Sequence, residues 1–444
     1  MIPRRAGSGL PFAIVLLLPS APLHADEPRA PFDVVSYRAT VEPDVASKSV
    51  KGRAVVDLVL RDRATSTIRL DIGALAIDAV REGDAPREFT SSDRTLLVSL
   101  PPGRGKTRHI SIDYHGSPRF GLQFAPEKNQ VYTIFSTSQW MPCVDAPNDR
   151  ATLDLTVIVP SDLVVVATGR FVSRAQEAGG RVAHRWRLDR EAPTFTFGFA
   201  AARFNESRTA SGRGSLRYLS SEAPSADLAR IFEATPAMIR FFEDRSGVRY
   251  PHADYIQALV AETVGQEMSG LSLMSDAYGG EVLADSQRIG LIAHELAHQW
   301  WGIGVTCEDW THFWLNEGFA TFMAAAFRER QFGRETYLKD VEGWRARYER
   351  VRSAGNDKSL VFPSWNRPSS DDRALVYQKG ALVLHELREL MGETAFWKGM
   401  RDYTRANFGG SVTTPVFERA MEKAAGRSLR AFFDDRVHLA TSSR

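Results

Sequence analysis

His294, Glu295 and His298 stand within residues 288 to 302, which read Arg-Ile-Gly-Leu-Ile-Ala-His-Glu-Leu-Ala-His-Gln-Trp-Trp-Gly. On an α-helix, positions four apart fall on one side, so the two imidazoles project together about 6 Å apart along the axis. One tetrahedral ion can bridge that separation. Glu295 points roughly 100° away, close enough to reach a water on the metal without binding the ion. Eighteen residues separate His298 from Glu317, which lies in Trp-Leu-Asn-Glu-Gly-Phe-Ala-Thr on the next helical stretch. A neighbouring antiparallel helix can aim that carboxylate at the two histidines. Two imidazoles and one carboxylate leave the fourth position for water, the arrangement of a catalytic rather than a structural zinc site. Zinc brings the pKa of such a water to about 7, and Glu295 as general base completes a hydrolytic centre. A second stretch, His385-Glu386-Leu387-Arg388-Glu389, begins the same way but lacks the second histidine; it reads as a solvated helix face.

Helices must carry these groups, and the spacing supplies them. Residues 228 to 242, 288 to 301, 314 to 330, 335 to 351, 374 to 391 and 414 to 425 place apolar side chains three or four apart. In the metal-binding stretch, Ile289, Ile292, Leu296 and Trp300 line one face, and Gly302 with Gly304 ends it. Upstream, from about Phe32 to Phe204, the period is two: Leu153, Leu155, Val157 and Val159 alternate with Thr152, Asp154 and Thr156. Val182, His184, Trp186 and Leu188 do the same, and Gly179-Gly180 separates them from Phe171-Val172 as a hairpin requires. The expected class is α+β: an antiparallel β-domain over 26–205 with one solvated face, then a mainly helical catalytic domain over 206–444.

At 444 residues, with 25% charged and 43% apolar residues, the chain has the balance of a folded protein of two or three domains. Arg4 and Arg5, the apolar run Leu10 to Leu18 and the small Ala25 before Asp26 read as a secretory signal peptide over 1–25. Nine apolar residues are too few to span a bilayer, and no later run is longer, so no stable membrane insertion is expected. The formal charge of +2 belongs to the two arginines of that leader. Nothing in the remainder suggests nucleic acid. Cys143 and Cys307 are the only cysteines, so no bridge framework exists; two buried thiols are expected rather than one disulfide.

The segments His294 to Trp300 and Trp314 to Thr321 resemble those of the gluzincin aminopeptidases, the aminopeptidase N-like family. Pro142-Cys143-Val144-Asp145-Ala146-Pro147 resembles that family's Pro-Cys-x-Asp-x-Pro segment, Tyr377-Gln378-Lys379-Gly380-Ala381 its Tyr-x-Lys-Gly segment, and Gly410 to Asp435 the last helices of its catalytic domain. The resemblance implies an N-terminal β-domain, a thermolysin-like domain with one zinc ion, and release of single residues from peptides with a free N-terminus. By the same resemblance Tyr377 donates to the tetrahedral oxyanion. The family holds the substrate ammonium on the glutamate of a Gly-x-Met-Glu-Asn stretch. Here residues 264–271 read Val-Gly-Gln-Glu-Met-Ser-Gly-Leu, and matching the trailing Gly-Leu places Glu267 in that role, with Val264, Gln266 and Met268 departing from the usual residues. Between Thr137 and Pro142 the chain is shorter than its counterparts, which carry another amine-side contact there; Gln139 is what this chain has. The chain is expected to be a short member without the family's C-terminal helical domain, its cleft correspondingly open, and located in a bacterial periplasm. Two rival readings are a thermolysin-like endopeptidase and a non-catalytic binding protein of the same fold. Neither oligomeric state nor side-chain preference follows from the sequence.

Overall fold

The computed structural model describes residues 31–438, apart from 93, 102–104, 213, 264, 364, 366 and 367. The expected signal peptide and Val264 lie outside the described residues. The first half is built on an eight-stranded sheet, in the order Arg170–Glu177, Arg181–Pro193, Arg150–Pro160, Phe32–Asp44, Ser49–Leu60, Thr107–Gly116, Ala76–Glu82 and Ala85–Pro86. Its pairings are antiparallel except one: Phe32–Asp44 runs parallel to Arg150–Pro160. The alternation along Arg150–Pro160 is realised as a buried row at Ala151, Leu153, Leu155, Val157 and Val159. A second, four-stranded sheet has the order Val164–Ala167, Phe199–Ala202, Gln130–Thr133 and Leu122–Ala125.

That second half opens with a five-stranded sheet in the order Asn205–Ser211, Gly214–Ser220, Tyr255–Val260, Leu271–Ser275 and Gln266–Met268. Its inner strands show no polar alternation because both faces are covered. Ile256, Ala258 and Val260 join the core of the β-domain, whereas Tyr255 and Leu259 join the core of the helices. This is the pattern of buried, largely parallel strands. Apolar packing therefore runs through the sheet from one half to the other, and the sheet sits between two cores rather than at the edge of one.

The six stretches expected to be helical are helical with three departures, and Asp276–Ala284 and Glu393–Asn407 are helices that the spacing did not mark. Residues 228 to 242 divide into Ser225–Ile231 and Thr235–Ser246, because Pro236 can begin a helix but not continue one. The helix bearing His294 and His298 is shorter than 288 to 301: α-helical bonding covers Gly290–Ala297, after which Gln299 and Trp300 donate to residues three back and the turn tightens toward Gly302, at φ 126°. Residues 374 to 391 divide as well, into a π-helical turn at Leu375–Lys379 and the α-helix Gly380–Met391. No helix among the described residues is long and apolar enough to cross a membrane.

Candidate active site

The strand Leu271–Ser275 leads into the helix Asp276–Ala284, capped by the Ser275 hydroxyl on Tyr278 N. Tyr278 in turn caps the helix that bears His294 and His298. Its hydroxyl accepts from Leu291 N (3.2 Å) and Ile292 N (3.3 Å) and donates to Arg288 O (2.6 Å), doing for Gly290–Ala297 what no residue at its own N-terminus does. The helix Trp314–Phe332 then packs beside it and carries Glu317 in its first turn.

His294 Nε2 and His298 Nε2 are 3.1 Å apart, and Glu317 Oε2 lies 3.2 Å from the first and 3.4 Å from the second. All three residues are buried. Ligands bound at roughly 2.0–2.2 Å in tetrahedral geometry stand about 3.4 Å from one another, so the triangle has the dimensions of a zinc site. The histidine chemistry agrees: His298 Nδ1 donates to Trp301 O at 3.0 Å, which leaves Nε2 as the lone-pair nitrogen facing the triangle.

Charge makes the same point. Glu267, Glu295 and His298 offer a second set of donor atoms within 4.8 Å of one another, so three buried carboxylates crowd one histidine. Burial works against a charge on His298, yet Glu317, Glu267 and Glu295 together push its pKa up to about 10. Glu317 is held down to about 2, burial opposing and the two histidines prevailing. A divalent ion suits a donor set in which buried carboxylates converge on these imidazoles. The residues fit zinc.

Glu295 lies directly beneath Gly265: a Cβ on that glycine would stand 2.8 Å from the Glu295 carboxyl carbon. Burial, with Glu267 and Glu317 nearby, raises the Glu295 carboxyl well above its usual range, against the pull of His298. Glu267 sits on the edge strand Gln266–Met268, 6% exposed, and burial raises its carboxyl to about 7. Gln299, the residue after His298, ties this strand to the end of the histidine-bearing helix. Its Oε1 accepts from Gly270 N (3.0 Å) and its Nε2 donates to Met268 O (2.9 Å).

Tyr377 lies on the π-helical turn, a distortion that recurs at functional sites. Its ring stacks on that of His294, with centroids 5.9 Å apart and planes at 13°. Burial and the carboxylates of Glu317, Glu267 and Glu295 keep its hydroxyl protonated well beyond the ordinary tyrosine range. The helices bearing Glu317 and Tyr377 meet at two glycines: a Cβ on Gly318 would lie 3.0 Å from Gly380 Cα, and one on Gly380 would lie 3.1 Å from Gly318 Cα. Lys379, two residues beyond Tyr377, is buried with Asp357; its Nζ donates to Asp357 Oδ1 and to Lys358 O, both at 2.8 Å. A cavity of about 320 Å³ opens beside His294 and Tyr377, with Leu291, Thr321, Arg328 and Trp344 on its walls.

The structure thus gathers His294, Glu295, His298, Glu317, Tyr377 and Glu267 into one buried cluster. Gln139 is elsewhere, packed against Gly73 and Gly121 inside the β-domain. His385 does not lie on a solvated face. It is buried, and its Nδ1 is paired with the Tyr337 hydroxyl at 3.0 Å, which satisfies the imidazole inside the helical core. Both cysteines are buried free thiols.

The Peptidase family M1 domain is matched over residues 230–435 and the Peptidase M1 N-terminal domain over 34–196. The chain belongs to peptidase family M1. As an M1 peptidase it has a fold whose members are zinc metallopeptidases with one catalytic zinc. It is 23% identical over 389 residues to a leucine aminopeptidase 2 of Neurospora crassa, covering 81% of this chain and 57% of that protein. To an aminopeptidase N of Streptomyces lividans it is 31% identical over 228 residues, 47% of this chain and 26% of the relative. The M1 peptidase thus spans little more than half of the Neurospora protein and about a quarter of the Streptomyces one. Its fold matches an M1 zinc metallopeptidase of Deinococcus radiodurans, solved as a point mutant bound to a Tyr-Ser-Ala substrate, at a TM-score of 0.78 and 24% identity, covering 94% of this chain and 96% of that one. It also matches native yeast LTA4 hydrolase at a TM-score of 0.81 and 18% identity, over 93% of this chain and 69% of the other.

Proposed function

We propose that this M1 peptidase is a zinc-dependent aminopeptidase that removes single residues from peptides with a free N-terminus. The observation that carries the reading is the buried carboxylate of Glu267, on an edge strand, with a ligand atom within 4.8 Å of those of His298 and Glu295. Its side chain pairs with the neutral carboxamide of Gln266, and its charge suits a substrate ammonium fixed one residue from the scissile carbonyl. His294, His298 and Glu317 would hold the zinc. When bound, zinc supplies a Lewis acid that polarises a carbonyl and acidifies water.

The chain's own groups do the rest. Glu267 takes the ammonium and sets the register of the peptide. Glu295 accepts the proton of the attacking water and delivers it to the leaving amine, a task suited to a carboxyl whose pKa burial raises. Tyr377 donates its O–H to the carbonyl oxygen as negative charge develops there. Peptide beyond the scissile bond extends toward the cavity beside His294 and Tyr377, of which Glu267 is not a wall. In this reading residues 26–205 form the β-domain that braces the site, 206–444 form the catalytic domain, and 1–25 direct export to a bacterial periplasm.

The test is a panel of aminoacyl reporter amides and the same peptides with acetylated N-termini, run on the wild type, Glu267→Ala and Glu295→Ala. Cleavage confined to free-amine substrates, weakened by Glu267→Ala and abolished by Glu295→Ala, is expected. Equal cleavage of blocked and free peptides would make the protein a thermolysin-like endopeptidase, and stoichiometric zinc with no turnover would make it a binding protein.

A further inference from the structure

Gln266 stands where the family's pattern has an apolar methionine, and it is fully buried. Every polar atom of its carboxamide is engaged. Its Oε1 accepts from Phe135 N at 2.5 Å, and its Nε2 donates to Glu267 O at 2.9 Å and to Glu267 Oε2 at 3.0 Å. Phe135 belongs to the β-domain and has φ 48°, a left-handed backbone that a phenylalanine adopts only under constraint from its surroundings.

The same stretch of β-domain grips the approach to this strand at two further points. Gln130 Oε1 accepts from Ala261 N at 2.7 Å; the Tyr132 hydroxyl accepts from Glu262 N at 3.1 Å and donates to Glu262 O at 2.7 Å. One β-domain segment, 130–135, therefore holds Ala261, Glu262 and Gln266 in place, and its last contact leads through Gln266 to the Glu267 carboxylate.

We propose that Gln266 is a positioning residue for the amine anchor: seated on the Phe135 backbone, its carboxamide holds Glu267 Oε2 and so directs Oε1 to the substrate ammonium. The proposal rests on the aminopeptidase reading and on Glu267 as its anchor. A neutral donor suits the task. An arginine or lysine in that place would neutralise the carboxylate and compete with the ammonium, whereas an amide orients it and leaves its charge available. A methionine there would leave the carboxylate free to rotate, and would leave Phe135 N without its partner.

The experiment compares the zinc-loaded wild type with Gln266→Met, Gln266→Glu, Glu267→Ala and the Gln266→Met/Glu267→Ala double variant. It measures kcat and KM on an aminoacyl reporter amide, with zinc content and Tm as folding controls. Gln266→Glu keeps an acceptor for Phe135 N and replaces the amide donors to Glu267 with a second carboxyl that opposes it, so it stands in if Gln266→Met folds poorly. Either single change at Gln266 is expected to raise KM about tenfold, the scale of a hydrogen bond to a buried carboxylate, with kcat changed less than about threefold. In the Glu267→Ala background, Gln266→Met is expected to add nothing further. An unchanged KM in both Gln266 variants, or a Gln266→Met effect of equal size with and without the Glu267 carboxylate, overturns the proposal. If Glu267→Ala itself leaves KM unchanged, the anchor fails and this inference with it; a normal Glu267 effect beside silent Gln266 variants sinks the inference alone.

Discussion

Gly265 and Glu295 are in contact across 30 positions of sequence, the glycine's missing side chain being the space that the Glu295 carboxylate occupies. Addition of a single methyl group there would meet the carboxylate itself. Gly265→Ala is therefore expected to fold and bind zinc but to displace Glu295, lowering kcat about a hundredfold, since an ångström of misplacement costs that much in a positioned catalyst. Wild-type kcat in a zinc-replete Gly265→Ala protein would show that Glu295 does not act from this position.

In the proposed mechanism Tyr377 makes a different demand, because it contributes only as charge develops on the carbonyl oxygen. Tyr377→Phe keeps the ring that stacks on His294 and removes the donor. Steady-state kinetics should show kcat lower by about 10²–10³ with KM little altered. A rise in KM alone would assign the hydroxyl to substrate binding instead.

Lys379 and Asp357 form an ion pair with 4% and 5% of their side chains exposed. Removing the cation leaves a carboxylate buried beside the π-helical turn. Lys379→Met is expected to lower the unfolding free energy by about 3–5 kcal/mol, read from the urea midpoint, and Asp357→Leu in the same chain should restore much of it. An unshifted midpoint would mean that water reaches Asp357.

Asp149 brings a pH dependence to the stability of the fold. Burial, with Asp33 beside it, raises its carboxyl to about 8, against the Tyr37 hydroxyl that lowers it. A folded pKa above the unfolded value of about 3.9 gives stability that is complete at low pH and is lost as pH rises through about 8. Relative to the wild type, Asp149→Asn should gain stability steadily from about pH 4 to pH 8 and hold that margin above. Parallel stability curves for the two proteins would show that Asp149 is ionised in the folded state.

The clustering of His294, His298 and Glu317 was legible because helical periodicity puts His294 and His298 on one face, and because Glu317 lies in the first turn of the next long helix. The alternation at Leu153 to Val159 marked the β-domain for the same local reason. What escaped the sequence acts at a distance. Nothing near Gln299 says that its amide will meet Met268 and Gly270, and nothing near Tyr278 says that its hydroxyl will cap a helix that begins at Gly290. His385 was misplaced because charged neighbours at Glu386 and Glu389 suggested a solvated face, while the partner that admits it to the core, Tyr337, is 48 residues away. The five-stranded sheet gave no polar alternation to read, because its inner strands are covered on both sides.

Where Gly318 meets Gly380, two helices touch through main-chain atoms, and no rotamers are available in the contact to loosen with heat. The separation of the Glu317 carboxylate from the Tyr377 phenol is in that sense a dimension of the backbone. Warming should leave the alignment intact until the helices themselves part, so activity and tertiary structure should vanish together on a thermal ramp, with no intermediate range in which a folded protein has lost its turnover.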